Sequence, residues 1–263
     1  MRGRLRADGL VLDLDGVVYR GDQPIAGAAQ AIERARAAGV RVVFCTNNSS
    51  ATVAQYVEKL GRVGVEARPL EIVTSAVVTA EILGERAVAG QTAIVIGRDG
   101  VREALASAGV EVIDDPATEA ADLVVVGWDR TFTWDAMRRA ATAVRAGATL
   151  IATNGDATFP APVGLWPGAG AILASIEVAS GVRAEVMGKP HRPMMEVAAR
   201  RLDGAAAIAM VGDRPETDLD GARSMGWSTV LVLSGVTDEV GAARLDPAPD
   251  LIVASLADLE VAP

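Results

Sequence analysis

A short apolar run that ends in charge constrains this chain most: Gly9-Leu10-Val11-Leu12 leads into Asp13-Leu14-Asp15-Gly16 and on to Val17-Val18-Tyr19. An unbroken apolar run is what a parallel-sheet strand buried on both faces requires. Asp13 and Asp15 stand one residue apart, so an extended backbone turns both side chains to one side. Gly16 lets the chain leave the strand by a turn that a Cβ would resist. Two carboxylates this close on a buried strand end are costly unless a cation or a proton lies between them. A lone D-x-D is commonly a solvated strand-end turn. Three clusters further along argue against that here.

Residues 25–38 are predicted as a helix closing at Gly39, and 40–44 as a strand closing on Cys45-Thr46-Asn47-Asn48-Ser49. Helices follow over 51–60 and 73–83. The pattern then restarts, with strands at 92–96, 110–113, 123–127 and 150–152 and helices at 101–108 and 134–146. Residues 154–170 hold Pro160, Pro162, Pro167 and several glycines and are predicted as loop. A helix over 171–180 and a strand over 185–187 lead into Gly188-Lys189-Pro190. Helix 194–202, strand 207–211 running into Gly212-Asp213, helix 219–225 and a final strand 228–233 complete the pattern. Such alternation builds a doubly wound parallel sheet, fold class α/β. The expected organisation is a discontinuous core, residues 1–82 and 185–263, with a second α/β domain, 83–184, inserted.

Half of the 263 residues are hydrophobic but few are aromatic, a mixture suited to alanine-rich helices and β-branched strands. The net charge of −9 argues against a nucleic-acid partner, which needs clustered Lys and Arg. It leaves room for a small phosphorylated ligand held by local positive groups and a cation. The single cysteine excludes an internal disulfide and fits a reducing cytoplasm. Arg2, Arg4 and Arg6 are followed by no apolar signal core, and Asp13 cuts the first apolar stretch short. No secretory or membrane segment is expected.

Four strand ends carry the chemistry: Asp13 with Asp15, Thr46 with Asn47, Lys189, and Asp213 with Asp218. In open α/β sheets the ligand sits outside the carboxyl ends of the strands, where neighbouring clusters of this kind would converge. Mg²⁺ takes one or two carboxylates and completes its shell with water and substrate phosphate. A carboxylate can attack phosphorus, a lysine can neutralise the transferring oxygens, and a second carboxyl can protonate the leaving alcohol and then activate water.

With these residues in place, the sequence resembles the haloacid dehalogenase-like (HAD) phosphatases, and more closely the subfamily with the type IIA α/β cap, which includes NagD-like, 4-nitrophenyl phosphate and phosphoglycolate phosphatases. The first motif is D-L-D-G-V at Asp13 to Val17, the second T-N-N at Thr46 to Asn48. The third is G-K-P at Gly188 to Pro190, and the fourth G-D-R-P-E-T-D at Gly212 to Asp218. The cap stretches are V-V-G-W-D-R, A-T-N-G-D-A-T-F-P and G-L-W-P-G-A-G, beginning at Val125, Ala152 and Gly164. The resemblance covers nearly the whole chain.

It implies a Rossmann-like core with an inserted cap and a Mg²⁺-dependent phosphatase acting on small phosphomonoesters through an aspartyl-phosphate. Asp13 would be nucleophile and metal ligand. Asp15 would be the general acid/base, with its main-chain carbonyl on the metal. Thr46 and Asn47 would hold the phosphoryl oxygens, Lys189 would bridge nucleophile and phosphate, and Asp213 would be the third metal ligand. Asp218 would hold a metal-bound water or orient its neighbours. Arg130, Asp156 and His191 are candidates for substrate specificity. Subfamily members often dimerise through the cap.

Ordinary roles stand beside these. Asp218 can serve as an N-cap for the helix that follows. Asn48 and Ser49 fit turn and capping roles, and Cys45 fits a packed apolar thiol. His191, the lone histidine, fits a loop residue that touches substrate or cap. Trp128, Trp134 and Trp166 fit cap core or leaving-group contacts. Asp15 argues against C–halogen hydrolysis, because a halide needs no proton to leave. A phosphotransferase or phosphomutase shares the first half-reaction and stays open as the alternative. A non-catalytic phosphometabolite-binding protein is disfavoured, because all the motif residues are present.

Overall fold

A computed structural model of the chain describes residues 3–160 and 164–263. It divides into two compact units. The first comprises residues up to Thr46, Ala54–Val73 and Lys189–Pro263; the second comprises Asn47–Val53 and Thr74–Gly188.

The first unit is built on a six-stranded sheet. Its strands lie in the order Leu251–Val253, Ser228–Val232, Ile208–Gly212, Gly9–Leu12, Arg41–Thr46 and Ile72–Thr74. Every residue of Gly9–Leu12 is buried, as the unbroken apolar run requires. Numbered by their order in the chain, these strands run 6-5-4-1-2-3. The order therefore reverses between Gly9–Leu12 and Ile208–Gly212, which pair in parallel with Leu12 opposite Val211. A reversal of this kind is the switch point at which open α/β sheets place their ligands. Asp13 and Asp213 are the residues that leave these two strands.

The second unit has its own parallel five-stranded sheet, in the order Glu185–Val186, Thr149–Ala152, Leu123–Val126, Thr92–Ile96 and Glu111–Val112. Ile94, Val124, Val126 and Leu150 pack with Val144 of helix Trp134–Arg145 and with Ile172 and Ile176 of helix Ala169–Ser180. Thr133 caps the first of these helices, its Oγ1 accepting from the Ala136 N–H at 3.2 Å. Gly181, at φ 77°, ends the second in the left-handed conformation that glycine adopts at no steric cost.

The structure corrects several expected elements. The predicted helix over 73–83 begins and ends two residues later, Ser75–Glu85, because β-branched Ile72-Val73-Thr74 joins the first unit's sheet edge. Thr74 then caps the helix, accepting from the Val77 N–H at 3.1 Å. Glu185–Val186 pairs with Ile151 and Ala152, so it extends the second unit's sheet. The 219–225 helix divides into a π-turn, Pro215–Leu219, and a short helix, Asp220–Ser224. The strand at 228–233 is not the last. Leu251–Val253 joins the sheet edge, and Leu259–Ala262 pairs in parallel with Gly3–Arg6. The predicted loop 154–170 contains an antiparallel pair, Thr158–Pro160 with Leu165–Pro167. Pro162 and Arg2 lie outside the described residues. No helix among the described residues is long and apolar enough to cross a membrane.

Candidate active site

Lys189 is the centre of the first unit's polar cluster. It follows the second unit's last residue, Gly188, and is 3 % exposed. Its Nζ donates to Asp13 Oδ1 at 2.6 Å, to Asp218 Oδ1 at 2.7 Å and to the Cys45 carbonyl at 3.1 Å. Charge-assisted bonds of this length are among the stronger ones a protein makes. Burial pulls the Lys189 pKa down, but Asp13 and Asp218 outweigh it and hold the ammonium well above its usual range.

The carboxylates of Asp13, Asp213 and Asp218 each place an oxygen within 4.8 Å of the others. Three carboxylates around one ammonium leave two excess negative charges when all are ionised. Burial pushes the Asp213 pKa up to about 6, with Asp218 adding to it. Burial likewise raises Asp13 well above the usual carboxylate range, with Lys189 opposing and Asp218 and Asp213 reinforcing. A buried all-oxygen set short of two positive charges fits a hard divalent cation.

Close backbone approach makes this crowding feasible. Gly212 ends the strand before Asp213, and a Cβ there would stand 2.2 Å from Asp218 Oδ2. Gly16 turns the chain at φ 85°, and a Cβ there would meet the same oxygen that Val236 holds, Asp213 Oδ2, at 2.4 Å. The Val236 N–H donates to that oxygen at 2.7 Å, Thr237 Oγ1 donates to the Asp213 carbonyl at 2.6 Å, and Ser234 Oγ donates to the Gly16 carbonyl at 2.7 Å. The sequence reading missed this brace. Its signal was Ser-Gly-Val-Thr directly after a strand of the same sheet.

Asp15 is not among the clustered carboxylates. Burial raises its pKa, opposed chiefly by Lys59 and by the Gly21 N–H. Lys59 Nζ lies 3.8 Å from the centre of the Tyr19 ring, so a cation and two buried rings, Tyr19 and Tyr56, lie around this carboxyl. The partnership of these three residues with Asp15 was not read from the sequence.

Thr46 ends its strand buried and hydrogen-bonds Tyr56. Cys45 is fully buried, and burial pushes its thiol up to about 12. Almost no thiolate is then present near pH 8. A disulfide-exchange reagent is therefore expected to titrate no thiol in the native chain and one after denaturation. A native thiol as reactive as free cysteine would contradict this.

Family comparisons agree with the geometry. A model described as haloacid dehalogenase-like hydrolase matches residues 10–111, and one described as HAD-hydrolase-like matches 186–259. An acid sugar phosphatase of Staphylococcus aureus is 38% identical over 229 residues, which is 86% of each chain. The chain belongs to the haloacid dehalogenase-like hydrolases. Among solved structures of this family, a p-nitrophenyl phosphatase from Archaeoglobus fulgidus aligns with TM-score 0.89 and 29% identity, over 97% of this chain and 98% of its own. A glycerol phosphate phosphatase from Mycobacterium tuberculosis, solved with magnesium, aligns with TM-score 0.86 and 34% identity, over 96% and 76%.

In this HAD hydrolase the remaining candidate residues separate by unit. Asn47, Arg130 and Asp156 belong to the second, and His191 to the first. Arg130 lays its guanidinium 4.8 Å from the Trp166 ring centre. Trp128 packs on Phe159 at 4.9 Å and donates to the Pro167 carbonyl at 3.1 Å. Trp134, 67 % exposed at a helix start, is not core. His191 is exposed at the N-cap of helix Arg192–Arg201 and makes no side-chain cap. Asp218 is not the N-cap of the helix after it. It lies within the π-turn, with its carboxylate turned back to the Arg214 N–H at 3.1 Å and to Lys189. Asn48 does form the expected turn, its Oδ1 accepting from the Ser50 N–H and hydroxyl. Ser49 instead shares a buried hydrogen bond with Thr153.

Proposed function

We propose that the chain is a Mg²⁺-dependent phosphatase of small phosphomonoesters that works through an aspartyl-phosphate on Asp13, with the second unit as its cap. The observation that carries this reading is Lys189 Nζ bridging Asp13 and Asp218 at a sheet switch point beside Asp213. The named activities and bound magnesium of its relatives support it.

Asp13 attacks phosphorus in line, and the bond to the leaving oxygen breaks as that oxygen takes a proton from Asp15. Asp15 then takes a proton from water, whose oxygen attacks the same phosphorus, releasing phosphate and restoring Asp13. The raised pKa of Asp15 suits an acid that must hold its proton until the alcohol leaves. Lys189 and the N–H and O–H donors of Asn47 and Thr46 hold the phosphoryl oxygens. Asp13, Asp213 and the Asp15 carbonyl would hold the metal, with Asp218 beside it. When bound, the ion supplies charge neutralisation for the transferring group. Asp218 orients Lys189.

Arg130, Asp156 and His191 enter this reading as specificity candidates. A cytoplasmic location is supported by the single buried thiol. Pairing of two copies through the cap is supported by the subfamily resemblance. Release of phosphate from 4-nitrophenyl phosphate is expected with Mg²⁺, to stop on chelation and to return when Mg²⁺ is restored. Release that persists undiminished in chelator would sink the metal assignment.

A further inference from the structure

Asn47 heads the short segment that groups with the second unit, and its side chain is tied there by a closed ring of hydrogen bonds. Asn47 Nδ2 donates to Asp156 Oδ1 at 2.9 Å. The Asp156 N–H donates to Asn154 Oδ1 at 3.1 Å, and Asn154 Nδ2 donates to the Asn47 carbonyl at 2.7 Å. Ser75 Oγ adds a bond to that same carbonyl at 2.6 Å. The ring is backed by glycines at the start of helix Ala169–Ser180. The Gly170 N–H donates to the Asp156 carbonyl at 2.9 Å, and a Cβ at Gly168 would stand 2.2 Å from that oxygen.

The ring decides the orientation of a group that could otherwise face either way. A carboxamide presents a donor on one side and an acceptor on the other, and the two differ little in shape. A carboxylate only accepts, so Asp156 draws the amino side of Asn47 toward itself and fixes the oxygen opposite. With the main chain of Asn47 held by Asn154 and Ser75, little freedom is left. A phosphate-binding donor gains most when it is already aimed before the ligand arrives.

We propose that Asp156 is a positioning residue for phosphate capture: by anchoring the Asn47 side chain it holds the main-chain N–H of that residue in place for the phosphoryl oxygens of every phosphomonoester alike. This deepens the function proposed above and rests on the reading of Asn47 as a phosphoryl-binding residue. It gives Asp156 a different task from choosing the leaving group.

The test is a mutant cycle of Asp156→Ala and Asn47→Ala, with Asp156→Asn as the conservative variant. Hydrolysis of 4-nitrophenyl phosphate, glycerol phosphate and a hexose phosphate is followed, together with inhibition by inorganic phosphate. Asp156→Ala is expected to raise KM on all three substrates, and the phosphate inhibition constant, by a common factor of roughly tenfold, with a smaller change in kcat. Asp156→Asn keeps an oxygen that can accept from Asn47 and is expected to recover most of the loss. In the Asn47→Ala background, Asp156→Ala is expected to add less than about twofold. Losses that differ among substrates while phosphate inhibition stays unchanged would overturn the proposal, as would additive effects in the cycle. Should Asp156→Ala fail to fold, Asp156→Leu takes its place with the same expectations. A parent chain that releases no phosphate would refute the phosphatase reading itself. A parent that does release it, with a substrate-selective Asp156 variant, would refute only the positioning role.

Discussion

Asp13→Asn is expected to lower phosphate release from 4-nitrophenyl phosphate by roughly 10³-fold or more while leaving the chain folded. The substitution keeps the size of the side chain and an oxygen that can accept from Lys189, so the buried contact at 2.6 Å persists in weaker form. It removes one of the crowded negative charges, whose burial holds Asp13 well above the usual carboxylate range. Removing that charge relieves a cost in the metal-free protein. The variant should therefore melt no lower than the parent in the absence of Mg²⁺, and gain less on adding it. A variant that keeps parental turnover would remove Asp13 from the chemistry. One that is inactive because it is unfolded would fail the melting comparison.

Lys189→Met is the second large effect, and it strikes stability and activity together. The ammonium lies between two carboxylates with its side chain 2 % exposed. Methionine can fill much of the slot but leaves Asp13 and Asp218 facing each other uncompensated. Breaking a buried ion pair from one side typically costs about 3–5 kcal/mol, on the order of a 10 °C fall in Tm for a chain of this size. Mg²⁺ should restore part of the Tm, because it supplies positive charge to the same carboxylates. It should not restore turnover, since the phosphoryl oxygens lose their cationic partner. Parental kcat/KM in Lys189→Met would show that this lysine only balances charge.

What could be read in advance follows from which contacts are local. Asp13 and Asp213 were legible because each directly follows an apolar run that must be a buried strand, and strand ends of such sheets converge on one crevice. Lys189 was legible through its setting before a proline and after a glycine, between predicted strands. Pairings that join distant segments were not. Nothing in Leu259–Ala262 says that it will lie beside Gly3–Arg6, and three β-branched or apolar residues at Ile72–Thr74 read equally well as the start of the helix they precede. The brace from Val236 and Thr237 onto Asp213 comes from a stretch with ordinary turn composition. The Asn47–Asp156 bond spans 109 positions of sequence, so motif spacing cannot reveal it. The contact of Lys59 with the Tyr19 ring likewise joins segments far apart in sequence.

The roles given to Asp13 and Asp15 imply two successive displacements at one phosphorus atom, the first by a carboxylate and the second by water. Each in-line displacement inverts the phosphorus centre. The most direct test is the configuration of the phosphate released from an ester made chiral at phosphorus with oxygen isotopes, hydrolysed in isotopically labelled water with Mg²⁺. Net retention is the expected result. Net inversion would mean that water attacks the substrate in a single step, and Asp13 would then not be the nucleophile.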